Sequence, residues 1–333
     1  MKFQLQAFII LIVFLVGCTQ SPANSVSRVS IKSVYSTINP DVLPAWVAKD
    51  AGIFDRNGLD VDLMYIEGGV KATQALLSKD AAFGVFAPSS PINANAAGAD
   101  LVVIASIVST LPYNIVVIPE VKSGADLKGK RFAVSSLSGA SYAAMRLALR
   151  DIYHLDPDKD VTPVIIGTDA TRENALTLKQ VDAAMLHIAG EDMAKRDGLV
   201  ILEPMWNKGI DYQFTSIVVS KAYMKDNLDV ASRYVKSLIQ AIGYIKDPVN
   251  KAAVIKSLSK GLKQEDTVTL ESGYKFMSET FLKCAAYVSL NGIKPVIADS
   301  KEAVTKGITP EQMVDNSIVK ALDDSGFIKA NCK

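Results

Sequence analysis

Histidine and cysteine are scarce: His154 and His187, with Cys18, Cys284 and Cys332, are the full complement in 333 residues. So few nitrogen and sulfur ligands exclude a zinc cluster and most metalloenzyme chemistry, and no metal or other cofactor is expected. An excess of one charge is missing too. Lys and Arg total 36 against 35 Asp and Glu, a net of +1 with no block of one sign, which argues against a nucleic-acid-binding surface. A Gly-x-Ser-x-Gly elbow, a Walker loop and a His-Glu-x-x-His helix are also absent, so no common catalytic signature marks an enzyme. What remains is a globular composition, 49% apolar and 21% charged, in a chain long enough for two lobes of roughly 100–200 residues each.

The apolar run over residues 7–16 is ten residues long. At about 1.5 Å of rise per residue it is too short to cross a bilayer, and it suits the core of a signal peptide. It follows Lys2 and closes in Leu15-Val16-Gly17-Cys18, which resembles the lipobox of bacterial lipoproteins, where cleavage before the cysteine leaves its sulfur to carry a lipid. Residues 1–17 are therefore expected to leave as a lipoprotein signal peptide, with Cys18 as the lipidation site. The alternative is an ordinary secretory peptide cut elsewhere, or a short anchor helix. Residues 18–29, rich in Ser, Pro, Asn and Thr, read as a flexible tether. Export also puts Cys284 and Cys332 in a compartment that permits disulfides: they form either a bridge tying the C-terminal tail to a helix or two unrelated thiols.

The body of the chain repeats itself. Residues 29–34 alternate as a strand, 42–51 follow as a helix ending at Gly52, and Gly58-Leu59-Asp60 turns into a strand over 61–66 that stops at Gly68-Gly69. A helix over 70–78 then leads to an apolar strand at 83–87. About 100 residues later the order recurs: strand 131–135, helix 141–153, strand 162–166, the turn Gly167-Thr168, helix 170–178 and strand 183–187. Ala75-Leu76 and Lys79 fall opposite Ala175-Leu176 and Lys179. The fold class is α/β, with two lobes wired alike. Apolar strands at 101–107 and 114–118 lie between the units and another at 214–219 follows them; residues 229–246 then carry apolar side chains at a helical period. Strands crossing out near 114 and back near 216 would act as hinges. The first lobe then comprises residues 30–114 with 216–333, and the second 115–215.

The run Pro44-Ala45-Trp46-Val47-Ala48, Ala51-Gly52-Ile53-Phe54 and Asn57-Gly58-Leu59-Asp60-Val61 resembles the opening of the periplasmic solute-binding proteins for nitrate, sulfonates, taurine and thiamine-pyrimidine precursors. Ser123 with Asp126-Leu127-Lys128-Gly129-Lys130 is similar to the start of that family's second lobe, and Val181-Asp182-Ala183-Ala184 to its second hinge region. The likeness runs from about residue 30 to about 250. It implies a two-lobed periplasmic binding protein fold of type II, a Venus flytrap, with each lobe a βα sheet flanked by helices and the lobes joined by hinge strands. Two departures stand out. The family usually carries Gly-Asp-x-Asp after its first Ala-Leu helix, where this chain has Lys79-Asp80-Ala81-Ala82, and a proline after the second repeat's last strand, where this chain has His187-Ile188-Ala189-Gly190. Both are expected near cleft-facing strand ends.

In open α/β sheets, ligands gather at the carboxyl ends of strands beside helix N-termini. The first such loop offers Thr37 and Asn39, with Trp46 either walling the cleft or serving as core. Gly68 and Gly69 precede a helix whose free N–H groups can meet an anion or a carbonyl oxygen, and also read as a plain strand-to-helix turn. Ser89 and Ser90 can cap a helix and bind a ligand. Ser136, Ser138, Gly139 and Ser141 form the best oxyanion candidate in the chain. Their loop has no basic residue, which favours a neutral or singly anionic ligand over a phosphate. Thr168 completes the second lobe's set, with Arg172 one turn on as a solvated helix residue or a source of charge. His187 ends a strand beside a hinge, as a cleft contact or a satisfied structural donor. Tyr113, Trp206 and Tyr212 lie near the crossovers, where they either wall an aromatic slot or pack.

The resemblance implies a monomeric, lipid-anchored substrate-binding protein at the outer face of a membrane or in the periplasm, and not an enzyme. Its partners would be a small solute (a sulfonate, a carboxylate, a pyrimidine-like compound or a small anion) and the permease and ATPase of an ABC importer, with no nucleic acid. A sensor subunit of a membrane receptor would use the same cleft. A relative of the thiamine-pyrimidine synthase, which carries a cysteine-rich signature missing here, is the enzymatic alternative.

Overall fold

The computed structural model describes residues 28–137 and 139–332. The signal-peptide segment, Cys18, most of the tether and Ser138 lie outside them. Two five-stranded sheets divide the rest. The first comprises β1 (Val29–Tyr35), β2 (Leu59–Tyr65), β3 (Phe83–Phe86), β4 (Leu101–Val108) and β10 (Thr215–Ser220), in the order β2-β1-β3-β10-β4. The second comprises β5 (Tyr113–Val117), β6 (Lys130–Val134), β7 (Val161–Ile165), β8 (Ala183–His187) and β9 (Val200–Pro204), in the order β7-β6-β8-β5-β9.

Four strands of each sheet run in one direction, and the strand at the fourth position, β10 in the first and β5 in the second, is antiparallel to both its neighbours. The repeat seen in the sequence is thus a repeat of wiring. It extends to backbone conformation, because Lys79 and Lys179, each just past the end of its helix, both adopt left-handed φ values, 64° and 54°. Lys79 occupies the place where the resembled family has glycine, the residue that enters this region without steric cost. The segment from Lys79 to Ala82 precedes β3, so it lies at the opposite edge of the sheet from the cleft-facing ends where the sequence reading placed it.

Each sheet lends the other its antiparallel strand. The chain leaves the first sheet after β4 and enters the second as β5; it returns from β9 as β10. The crossovers run side by side, with Tyr212 N–H donating to Ser109 O at 3.4 Å and Phe214 N–H to Val108 O at 2.9 Å. The outward crossover spans residues 109–112, between the end of β4 and the start of β5.

Helix Leu228–Lys246 buries its apolar stripe against the first sheet. Tyr234 stacks on Phe83 at 4.2 Å and on Phe54 at 5.2 Å, and its hydroxyl pairs with Ser33 Oγ at 2.7 Å. Such ring pairs add about 0.5–1.5 kcal/mol each beyond area burial. Trp46 belongs to this packing and not to the cleft. Its indole lies over Gly261, where a Cβ would sit 2.2 Å from Trp46 Cε3, and its edge meets Tyr35. Farther along, the structure joins Cys284 to Cys332 in a disulfide that ties the last helix to the body. Among the described residues, no helix is long and apolar enough to cross a membrane.

Candidate functional site

The parallel strands of both sheets end facing one another, and the loops beyond those ends enclose a cavity of about 100 Å³, which suits a small solute. From the first lobe come Thr37, Asn39, Gly68, Gly69, Ser89 and Ser90. Ser136, Gly139 and Thr168 reach it from the second, and Tyr113 from the crossover. Gly69 has a specific reason to be glycine: a Cβ there would lie 2.7 Å from Ser90 Oγ.

Other expected residues stand back. Ser141 is fully buried, and its Oγ accepts from Ser135 N–H and pairs with Ser135 Oγ, both at 2.8 Å, so it braces the loop without lining the cavity. His187 lies behind the lining. Trp206 packs edge-on against Phe276 in a crevice on the far side of the crossovers, and Tyr212 is buried among the crossover residues. Arg172 is buried rather than solvated. Its Nε donates to Met185 O at 2.9 Å, its Nη1 to Ile166 O at 3.0 Å and to Gly167 O at 2.7 Å, and its Nη2 to Asp169. The guanidinium fastens the loop after β7 to the end of β8.

Three acids that sequence reasoning left out line the cavity: Asp41, Glu67 and Asp169. Asp41 is 2% exposed; its Oδ2 accepts from Thr215 Oγ1 at 2.5 Å, while its Oδ1 has no hydrogen-bond partner. Burial pushes its carboxyl up from the usual aspartate range, against the lowering effects of His187 and Thr215. His187, 3% exposed, accepts from Ala189 N–H on Nδ1, which leaves the proton of the neutral ring on Nε2; burial holds its pKa below the ordinary value. Ser90 Oγ is another buried atom without a hydrogen-bond partner. The offset of 100 residues between the repeats is the signal that was available for the others, since it sets 67–69 opposite 167–169.

The lobes touch across the cavity and beyond it. Asn39 Nδ2, with its amide oriented to satisfy both groups, donates to Ile38 O and to Asp169 Oδ2 at 2.8 Å each. At the rim, Arg146 Nε donates to Asp299 Oδ1 at 2.9 Å and Arg196 Nη2 lies 3.2 Å from Asp266 Oδ2. These pairs join residues packed with the first sheet to residues packed with the second. Among the described residues, no group of three or more His, Cys, Asp or Glu side chains is placed to hold a metal ion.

Known proteins share this architecture. YtlA of Bacillus subtilis (strain 168) is 24% identical over 244 residues, 72% of each chain. The alkanesulfonate-binding protein SsuA from Xanthomonas axonopodis pv. citri, solved bound to MOPS, is 20% identical with a TM-score of 0.68, covering 87% of this chain and 99% of its own. The periplasmic nitrate-binding protein NrtA from Synechocystis PCC 6803 is 13% identical with a TM-score of 0.69, covering 90% and 89%. These structures share the periplasmic binding protein fold with the chain. The family model described as NMT1/THI5 like matches residues 39–252, well over half of the sequence and both sides of the cleft, and the chain belongs to that family.

Proposed function

We propose that this protein captures a small organic solute between its lobes and delivers it to the permease and ATPase of an ABC importer, held at the outer face of a membrane by a lipid on Cys18. The observation that carries the reading is the cavity between facing strand ends, with Asp41 Oδ1 and Ser90 Oγ buried in it and lacking partners. Buried polar atoms are costly unless hydrogen-bonded, so a solute that supplies the missing partners favours the closed form over the open one. Closure then presents one rigid surface to a permease. Membership of the NMT1/THI5-like family and the fold shared with SsuA and NrtA support this reading.

A thermal-shift screen across sulfonates, carboxylates, pyrimidines and small organic amines tests it. One class should raise the melting temperature in proportion to the logarithm of its concentration above Kd. Silence across all classes would count against capture and delivery.

A further inference from the structure

Solute capture, on which this inference rests, leaves the solute's chemistry open, and the charges lining the cavity narrow it. We infer that the cleft takes a small organic cation, a protonated amine or amidinium, in preference to a sulfonate or carboxylate. Among the described residues, Asp41, Glu67 and Asp169 line the cavity, and Arg172 is the one cation in the lining. That guanidinium is already directed at Met185 O, Ile166 O, Gly167 O and Asp169. An anionic solute would therefore meet three acids and no lysine, beside an arginine committed to the fold.

Asp41 makes the preference specific. Its Oδ1 is buried, unpartnered and 3.8 Å from His187 Nε2, beyond hydrogen-bond reach. A buried carboxylate is costly unless paired, and an N–H⁺ donor gives it a charge-assisted bond. Tyr65, Phe86, Tyr113 and Phe214 line the same space, and aromatic faces attract cations.

Among the described residues, four helix N-termini oppose this reading. Helices Gly69–Leu77, Ser89–Ala96, Ala140–Leu147 and Asp169–Thr177 all begin at the cavity, each contributing about half a positive charge. The last carries Asp169 in its first turn and Thr168 as its cap, so its end is already answered. The other three each amount to less than one carboxylate and suit oxygen atoms of the solute, while the unpartnered Asp41 Oδ1 is left for its cationic group.

The test is titration calorimetry on the chain as produced in cells, with two matched sets of probes: benzamidine, benzoate and benzenesulfonate, and propylammonium, propionate and propanesulfonate. At least one cation should bind, with its matched anions at least about tenfold weaker. Asp41→Asn should weaken that cation by about tenfold or more, and Glu67→Gln, on the exposed lip, by about two- to threefold. Glu67→Gln decides the matter if Asp41→Asn does not fold. An anion binding as tightly as its matched cation, cation affinity unchanged in both variants, or no response to any cation overturns the assignment. Native mass spectrometry separates this from the parent reading: a co-purified anionic solute overturns the cation alone, whereas an empty chain that also ignores every probe counts against solute capture itself.

Discussion

Asp41 Oδ1 and His187 Nε2 face each other across 3.8 Å, the carboxylate from the loop after β1 and the imidazole from the end of β8. One lobe supplies each partner. Asp41 is held in place by Thr215 on the returning crossover strand, so the first lobe's acid is tied to the hinge. Replacing Thr215 with valine keeps the shape and removes that hydrogen bond. The variant should lose about 1.5–3 kcal/mol of stability in urea melts, because the lost bond goes to a charged group. Solute affinity should fall as well, and stability equal to the parent would show that the bond contributes nothing.

Arg146 spans the rim. Its Nε reaches Asp299 in the other lobe while Nη1 and Nη2 hold Asp158 at 2.5 and 3.3 Å. Lysine keeps the charge but lacks the fork, so Arg146→Lys can satisfy one acid and not both. Small-angle scattering should show a larger radius of gyration for the solute-free variant, and stopped-flow a solute off-rate about three- to tenfold faster. An unchanged radius together with an unchanged off-rate would remove this pair from the closing contacts.

Glu173 supplies a dependence on pH. It is 6% exposed, and burial, followed by repulsion from Asp197 and Asp169, pushes its carboxyl from 4.5 up to about 7. The folded protein therefore holds this proton more tightly than the unfolded chain. Its contribution to stability is fully present below pH 4.5 and is lost as the pH rises through about 7. Glu173→Gln should be more stable than the parent by about 1–3 kcal/mol at pH 8, a gain of several degrees in melting temperature, and nearly equal at pH 4. A gain that is the same at both pH values would contradict a titrating Glu173.

The Cys284–Cys332 bridge closes a separation of 48 residues. By loop entropy that is worth about 4 kcal/mol. Replacing both cysteines with serine should lower the melting temperature accordingly. Solute affinity should be unchanged, since neither residue lines the cavity. A large change in affinity with stability preserved would reverse that assignment.

Much of the architecture was legible from periodicity, because apolar alternation and helical spacing mark strands and helices whichever lobe they join. The hydroxyl and glycine loops were legible for the same reason, lying between such segments. Asp41 and Asp169 were not. An acid in the first turn of a helix is commonly a response to the helix dipole, and nothing local distinguishes one that also faces a cavity. Ser141 misled in the opposite sense: a hydroxyl in a loop looks available, yet its hydrogen bonds are spent on Ser135 within the same turn. Trp46 was ambiguous because an apolar face fits either a cleft or a core, and only the position of Gly261, more than 200 residues away, decides for the core.

The central claim is that the closed cleft holds a solute, and native mass spectrometry of the protein as isolated from cells tests it most directly. The account predicts a mass increment of one small molecule per chain, released on denaturation and diminished in Asp41→Asn. A chain at its bare mass, unmoved by any small molecule in the thermal-shift screen, would contradict it.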